Sequence, residues 1–138
     1  SLDISMIDAC AGPRGKYAYN LKNILKTGIP LMLSSDAPVA DPNPLAGIYS
    51  AVTRKRMNHT PEQGWYMDQA LSVEEAVKGY TITPAIVSGT GGQLGSVSKG
   101  KLADMIVLDQ DIFKINPDKI ADTKVDMTLF NGRIVHER

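Results

Sequence analysis

The apolar positions of this chain change rhythm twice. From 16 to 26, Tyr17, Leu21, Ile24 and Leu25 recur at helical spacing, and Gly28 stands where a left-handed residue would end a helix. Pro30 then opens "PLMLSSD", a short apolar run without alternation, the pattern of a strand buried on both faces as in a parallel sheet. Beyond a proline-rich stretch, Asn43 and Pro44 supply the cap and first turn of a helix carrying Leu45, Ile48 and Val52. Arg54, Lys55 and Arg56 fall at its C-terminal end, where positive charge is favoured and where a surface role is expected for Arg54. The predicted order is helix, strand, loop, helix.

Residues 58–69, with Pro61, Gly64 and polar neighbours, read as an exposed loop. Ser72 and Glu75 have capping-box spacing and open a helix through Ala76, Val77 and Tyr80. Thr83 and Pro84 start a second short helix that the glycines at 89, 91 and 92 end. The period then changes again. "LADMIVLD" and "VDMTLF" read as strands, and Asn131-Gly132 between "MTLF" and "RIVHE" is the strongest hairpin signal in the chain. Residues 1–92 therefore read as α/β and 93–138 as mostly β, with no internal repeat.

Composition adds boundaries to this picture. In 138 residues, 43% are hydrophobic and 15 basic side chains balance 15 acidic ones. That balance describes a soluble globular protein and points away from nucleic-acid or membrane partners. No apolar run approaches the roughly 18 residues a membrane span needs. Cys10 is the single cysteine, so no internal disulfide forms, and a reducing cytoplasmic setting is the default expectation. The chain starts with Ser1, which suits a processed protein or a piece of something longer.

One motif fails its context. "GSVSKGKL", residues 95–102, has Gly95, Gly100 and Lys101 at phosphate-loop spacing, yet Leu102 stands where a magnesium-binding hydroxyl belongs. A phosphate loop also follows a strand and opens a helix, whereas this stretch follows a helix and opens a strand. It reads as a glycine-rich turn.

Asp36 is the candidate for chemistry. A carboxylate at the end of a parallel strand sits where α/β sheets and barrels place their sites. The alternative is that its side chain only caps the turn. Pro38, Pro42 and Pro44 stiffen the loop that follows, as suits a rim held in one shape beside a site.

"SSDAPVADPNPLAGIYSAVTRK", "LSVEEAVKGYTITPA", "LGSVSKGKLADMIVLDQDIF" and "MTLFNGRIVHE", in this order, closely resemble the C-terminal portion of metal-dependent amidohydrolases, in particular amidohydrolase family 3. The resemblance implies the end of a (β/α)8 TIM-type barrel over residues 1–92. It also implies C-terminal strands of a composite β-sandwich over 93–138. It maps "PLMLSSD" onto the eighth barrel strand and makes Asp36 both metal ligand and proton shuttle in the hydrolysis of a non-peptide C–N bond of a small molecule. The implied cofactor is a divalent metal, zinc being the expected one.

A whole barrel takes roughly 250 residues, so this chain holds only its last units. The family's His-x-His pair, its lysine or acidic bridge and its two later histidines have no counterpart here. His59, in a polar loop, and His136, on a hairpin strand, read as surface histidines. One carboxylate cannot hold catalytic zinc, which takes three protein ligands. No metal binding and no hydrolysis are therefore expected from this chain alone. Cys10 reads as inert and Arg14 as a solvated arginine, while Trp65 and Tyr66 either cover the site as a lid or fold back on the adjacent helix. The competing expectation is a stand-alone interaction module derived from the same fold. Open barrel and sandwich edges predict a homo-oligomer in either case.

Overall fold

Asn43 and Pro44 open the longest helix of the chain, whose computed structural model describes residues 3–138. The elements run α1 (Ile4–Ala11), a 3-10 segment (Gly12–Tyr17), α2 (Leu21–Lys26), α3 (Pro44–Thr53), a 3-10 turn (Met67–Gln69), α4 (Val73–Tyr80) and α5 (Ile82–Val87). Then follow β1 (Met105–Leu108), a 3-10 segment (Pro117–Asp122), β2 (Val125–Phe130) and β3 (Arg133–Glu137).

Local chemistry explains most of these boundaries. The Asn43 side chain accepts from the Leu45 amide at 3.0 Å, and Pro44 occupies a first-turn position where its missing N–H costs nothing. Ser72 and Glu75 close a reciprocal capping box, at 3.1 Å for Glu75 N to Ser72 Oγ and 2.8 Å for Ser72 N to Glu75 Oε2. Asn131 and Gly132 take φ of 48° and 75°, the two left-handed positions of a tight hairpin turn.

The sheet has the order β1-β2-β3 and is antiparallel throughout, with Met105 opposite Leu129 and Leu129 opposite Ile134. Every residue of β3 is exposed, and Phe130, Ile134 and Val135 present apolar surface to solvent. The core lies elsewhere. Ile48, Tyr49, Ala51 and Val52 of α3 meet Leu71, Ala76 of α4 and Ile120 of the 117–122 segment. Ile120 and Tyr49 are fully buried, each burial worth roughly 1.5–3 kcal/mol. Lys55 reinforces the junction with an ion pair to Asp118 at 2.9 Å.

Several expectations are corrected. "PLMLSSD" forms no strand: residues 29–35 have no regular secondary structure and join no sheet, and Leu33 N donates to Gly79 O at 3.0 Å, a contact to a helix. A segment becomes a strand only by pairing with a neighbouring strand, and among the described residues none runs beside this one. The single helix expected over 16–26 is broken by Tyr19, whose φ of 48° interrupts the helical path before α2 begins. The segment with Cys10 is helical in α1, with Cys10 exposed. The 58–69 stretch is not wholly exposed, because Trp65 and Gln69 are buried.

Candidate functional site

The irregular segment 29–35 delivers Asp36 to the rim of a cleft of about 510 Å³, lined also by Ser34, Ser35, Gly47, Arg54 and Tyr80. The turn at its end is made by backbone and a serine. Asp36 N donates to Ser34 Oγ at 3.1 Å, and Val39 N donates to Asp36 O at 2.9 Å, with Asp36 at φ 53°. The carboxylate itself is exposed and takes no hydrogen bond or ion pair among the described residues. A side-chain cap on the turn is thus not what this carboxylate does.

Helix α3 forms one wall. Gly47 and Arg54 are seven residues apart, so they share a face about 10 Å long. Gly47 is bare for a steric reason: a Cβ there would stand 1.8 Å from Tyr80 Oη and 2.7 Å from Tyr80 Cζ. The glycine lets the Tyr80 ring of α4 lie against the α3 backbone. Burial raises the Tyr80 phenol above its ordinary pKa, so the group is a neutral donor in the cleft at neutral pH.

Arg54 corrects the surface role expected for it. As the left-handed C-cap of α3 (φ 57°) it is only 6% exposed. Its Nε donates to Trp65 O at 3.0 Å, and its guanidinium lies 5.3 Å from the Trp65 ring centroid. Burial lowers its pKa and nearby Asp68 raises it, and the side chain stays charged. Nη2 is buried without a partner among the described residues. Trp65 is in turn fixed from both sides. Its amide donates to Arg54 O at 3.0 Å and its indole Nε1 to Asp8 Oδ1 at 3.0 Å, so it folds back on the α3 end and lines the cleft. Tyr66 packs edge-on to it, ring centroids 4.7 Å apart.

The cleft thus joins Asp36, Arg54 and Trp65, while Cys10, Arg14, His59, Tyr66 and His136 lie outside its lining. His59 is exposed but not idle, since its Nδ1 is 2.9 Å from the hydroxyl of buried Tyr49. Lys101 is spent on structure, its ammonium donating to Gly91 O at 2.5 Å and Leu94 O at 3.0 Å, which confirms the glycine-rich turn. Gly47 and Tyr80 were not singled out from the sequence. A glycine inside a helical pattern is the signal that could have found the pair.

Among the described residues no three His, Cys, Asp or Glu side chains group so as to hold a metal ion. Asp3, Asp36 and Asp41 all line the cleft without forming such a group. The donor set present therefore does not by itself fit a catalytic metal.

The model of the amidohydrolase family matches residues 3–136. The chain belongs to this family. It is 34% identical over 133 residues to YtcJ of Bacillus subtilis (strain 168), covering 96% of the chain and 25% of that protein. It is 32% identical over 120 residues to the N-substituted formamide deformylase of Arthrobacter pascens, covering 87% and 22%. The amidohydrolase from Thermotoga maritima MSB8 shares the fold at a TM-score of 0.64 and 21% identity, over 87% of this chain and 26% of that one. The chain spans about a quarter of the length of each.

Proposed function

We infer that this amidohydrolase chain contributes one wall of an active cleft in which a non-peptide C–N bond of a small molecule is hydrolysed, with Asp36 as the proton carrier. The observation that carries this reading is the unpartnered Asp36 carboxylate at the rim of the cleft. A free carboxylate there can take a proton from an attacking water and hand it to the leaving nitrogen. Ser34 and the 36–39 turn hold its backbone, so the carboxylate starts from a fixed base. The family resemblance implies a divalent metal, zinc being the expected ion, with Asp36 as the residue of this chain that would contribute to holding it. The deformylase relative, named for an N-substituted formamide, agrees with a C–N bond in a small substrate.

The test is Asp36→Asn in the full reading frame that encodes this chain, assayed on N-substituted formamides and related amides. Turnover should fall at least about 100-fold, the usual scale for loss of general acid-base catalysis, with the circular dichroism spectrum unchanged. Near-normal turnover would refute the assignment.

The three-stranded sheet supports a second part of the reading. Phe130, Ile134 and Val135 are 64%, 55% and 61% exposed, apolar surface that further strands of a composite β-sandwich, or a second copy of the chain, would cover. A cytoplasmic setting fits the lone exposed Cys10. No helix among the described residues is long and apolar enough to cross a membrane.

A further inference from the structure

The Asn131-Gly132 turn carries a reactivity that its part in the hairpin does not use. The backbone nitrogen of the residue after an asparagine can attack the side-chain carbonyl carbon, and a following glycine, with no side chain to crowd that nitrogen, permits the attack most readily. Asn131 is the one asparagine of the chain that a glycine follows, and Asn43 and Asn116 precede prolines, which have no N–H to lose. Its side chain is also the idle one. Asn20 and Asn23 bond each other at 2.8 Å, and the side chains of Asn43, Asn58 and Asn116 accept from the amides of Leu45, Thr60 and Asp118. The Asn131 side chain takes no hydrogen bond among the described residues, and both turn residues are exposed to water.

The attacking nitrogen, by contrast, is guarded. Gly132 N donates to Ala103 O at 3.1 Å, and Asn131 N donates to Asp104 Oδ1 at 2.6 Å, so the residues just ahead of β1 hold the turn that joins β2 to β3. An N–H engaged by a carbonyl must leave it before a base can take the proton.

We propose that Asn131 is a deamidation site whose rate is set by opening of the Gly132–Ala103 hydrogen bond. The Gly132 nitrogen gives up its proton and bonds to Asn131 Cγ, the Cγ–Nδ2 bond breaks, and Nδ2 departs as ammonia with that proton, leaving a cyclic imide. Water then opens the imide at one of its two carbonyls. The net change is water in and ammonia out, with no oxidant or reductant. Opening at Cγ leaves an aspartyl side chain on an unaltered backbone. Opening at the main-chain carbonyl leaves an isoaspartyl linkage, whose backbone runs through Cβ and Cγ and is one bond longer. A turn of two residues cannot absorb that extra bond, and either product sets a new carboxylate beside Asp104. The Phe130–Arg133 and Leu129–Ile134 pairs then lose their register, and the hairpin loosens.

The test ages the protein encoded by the full reading frame in mildly alkaline buffer, with and without unfolding guanidinium chloride, and follows the tryptic peptide of residues 125–133 by mass spectrometry with isoaspartyl detection. In the folded protein Asn131 should convert at least tenfold faster than Asn58, which is also exposed, and unfolding should speed Asn131 at least tenfold further. Conversion no faster than at Asn58 would overturn the site. A rate unchanged by unfolding would overturn the guard. Asp104→Ala releases the neighbouring amide and should speed conversion in the folded protein at least threefold, and an unchanged rate there would overturn the guard as well. Amide hydrogen exchange across 125–137 should rise with the isoaspartyl fraction, whereas Asn131→Gly keeps the turn and should age without either change. Loosening of that variant at the wild-type rate would overturn the link between this residue and the hairpin.

Discussion

Tyr80 Oη occupies the space in which a Gly47 side chain would begin, 1.8 Å from the ideal Cβ position. This makes the sign of a common stabilising substitution reverse. Glycine to alanine inside a helix normally gains about 1 kcal/mol. Here Gly47→Ala should destabilise by about 1–3 kcal/mol, because the tyrosine must leave its place. Urea unfolding measures it. Adding Tyr80→Phe should recover only part of the loss, since Cζ also lies 2.7 Å from that position.

Ile120, fully buried against α3, should be among the costliest residues to truncate. Ile120→Ala is expected to cost about 2–5 kcal/mol, the loss of buried methylenes plus the cavity left behind. The same truncation at exposed Ile134 should cost under about 0.5 kcal/mol. Equal effects at the two sites would contradict the packing described.

Acid should loosen α4 in a predictable window. Lys22, bonded at 2.6 Å, is the main cause that holds the Glu75 carboxyl below its usual pKa, and the Ser72 amide adds to it. The folded state therefore binds this proton less tightly than the unfolded chain. The stabilisation is fully present above the unfolded pKa of about 4.3 and is lost as pH falls through the lower folded value. Lys22→Met should flatten the stability profile below about pH 4.5, and both partners being part-exposed, salt should flatten it in the wild type as well.

The hairpin turn offers a fourth test. Gly132, at φ 75°, should resist replacement, with Gly132→Val costing more than about 1 kcal/mol. Asn131→Gly should cost little, because either residue tolerates the left-handed position. Thermal unfolding with far-ultraviolet detection distinguishes them.

Elements with their own local signals were legible in the sequence. The Asn43 cap, the Ser72–Glu75 box and the Asn131-Gly132 hairpin each depend on two or three neighbouring residues, and each stands as read. The family was legible too, because its motifs recur in order along the chain. What escaped depended on distance. Strand character at 31–35 needs sheet partners that the described residues do not supply, so the pattern alone promised more than the backbone could pair. Arg54 looked like a surface cation because its neighbours Lys55 and Arg56 are charged. Only the return of the chain at Trp65, eleven residues later, buries it. The Gly47–Tyr80 contact spans two helices and left a single trace, a glycine in a helical pattern.

The seating of Ile120 in the α3 core also governs what a protease would accomplish. Residues 96–100 are all exposed and lie between the helical part and the sheet. Nicking there severs the covalent path, yet Ile120 and the Lys55–Asp118 pair still clasp the two pieces. The cut protein should travel as one particle under native conditions and separate only when denatured, the behaviour of complementing fragments and not of beads on a string.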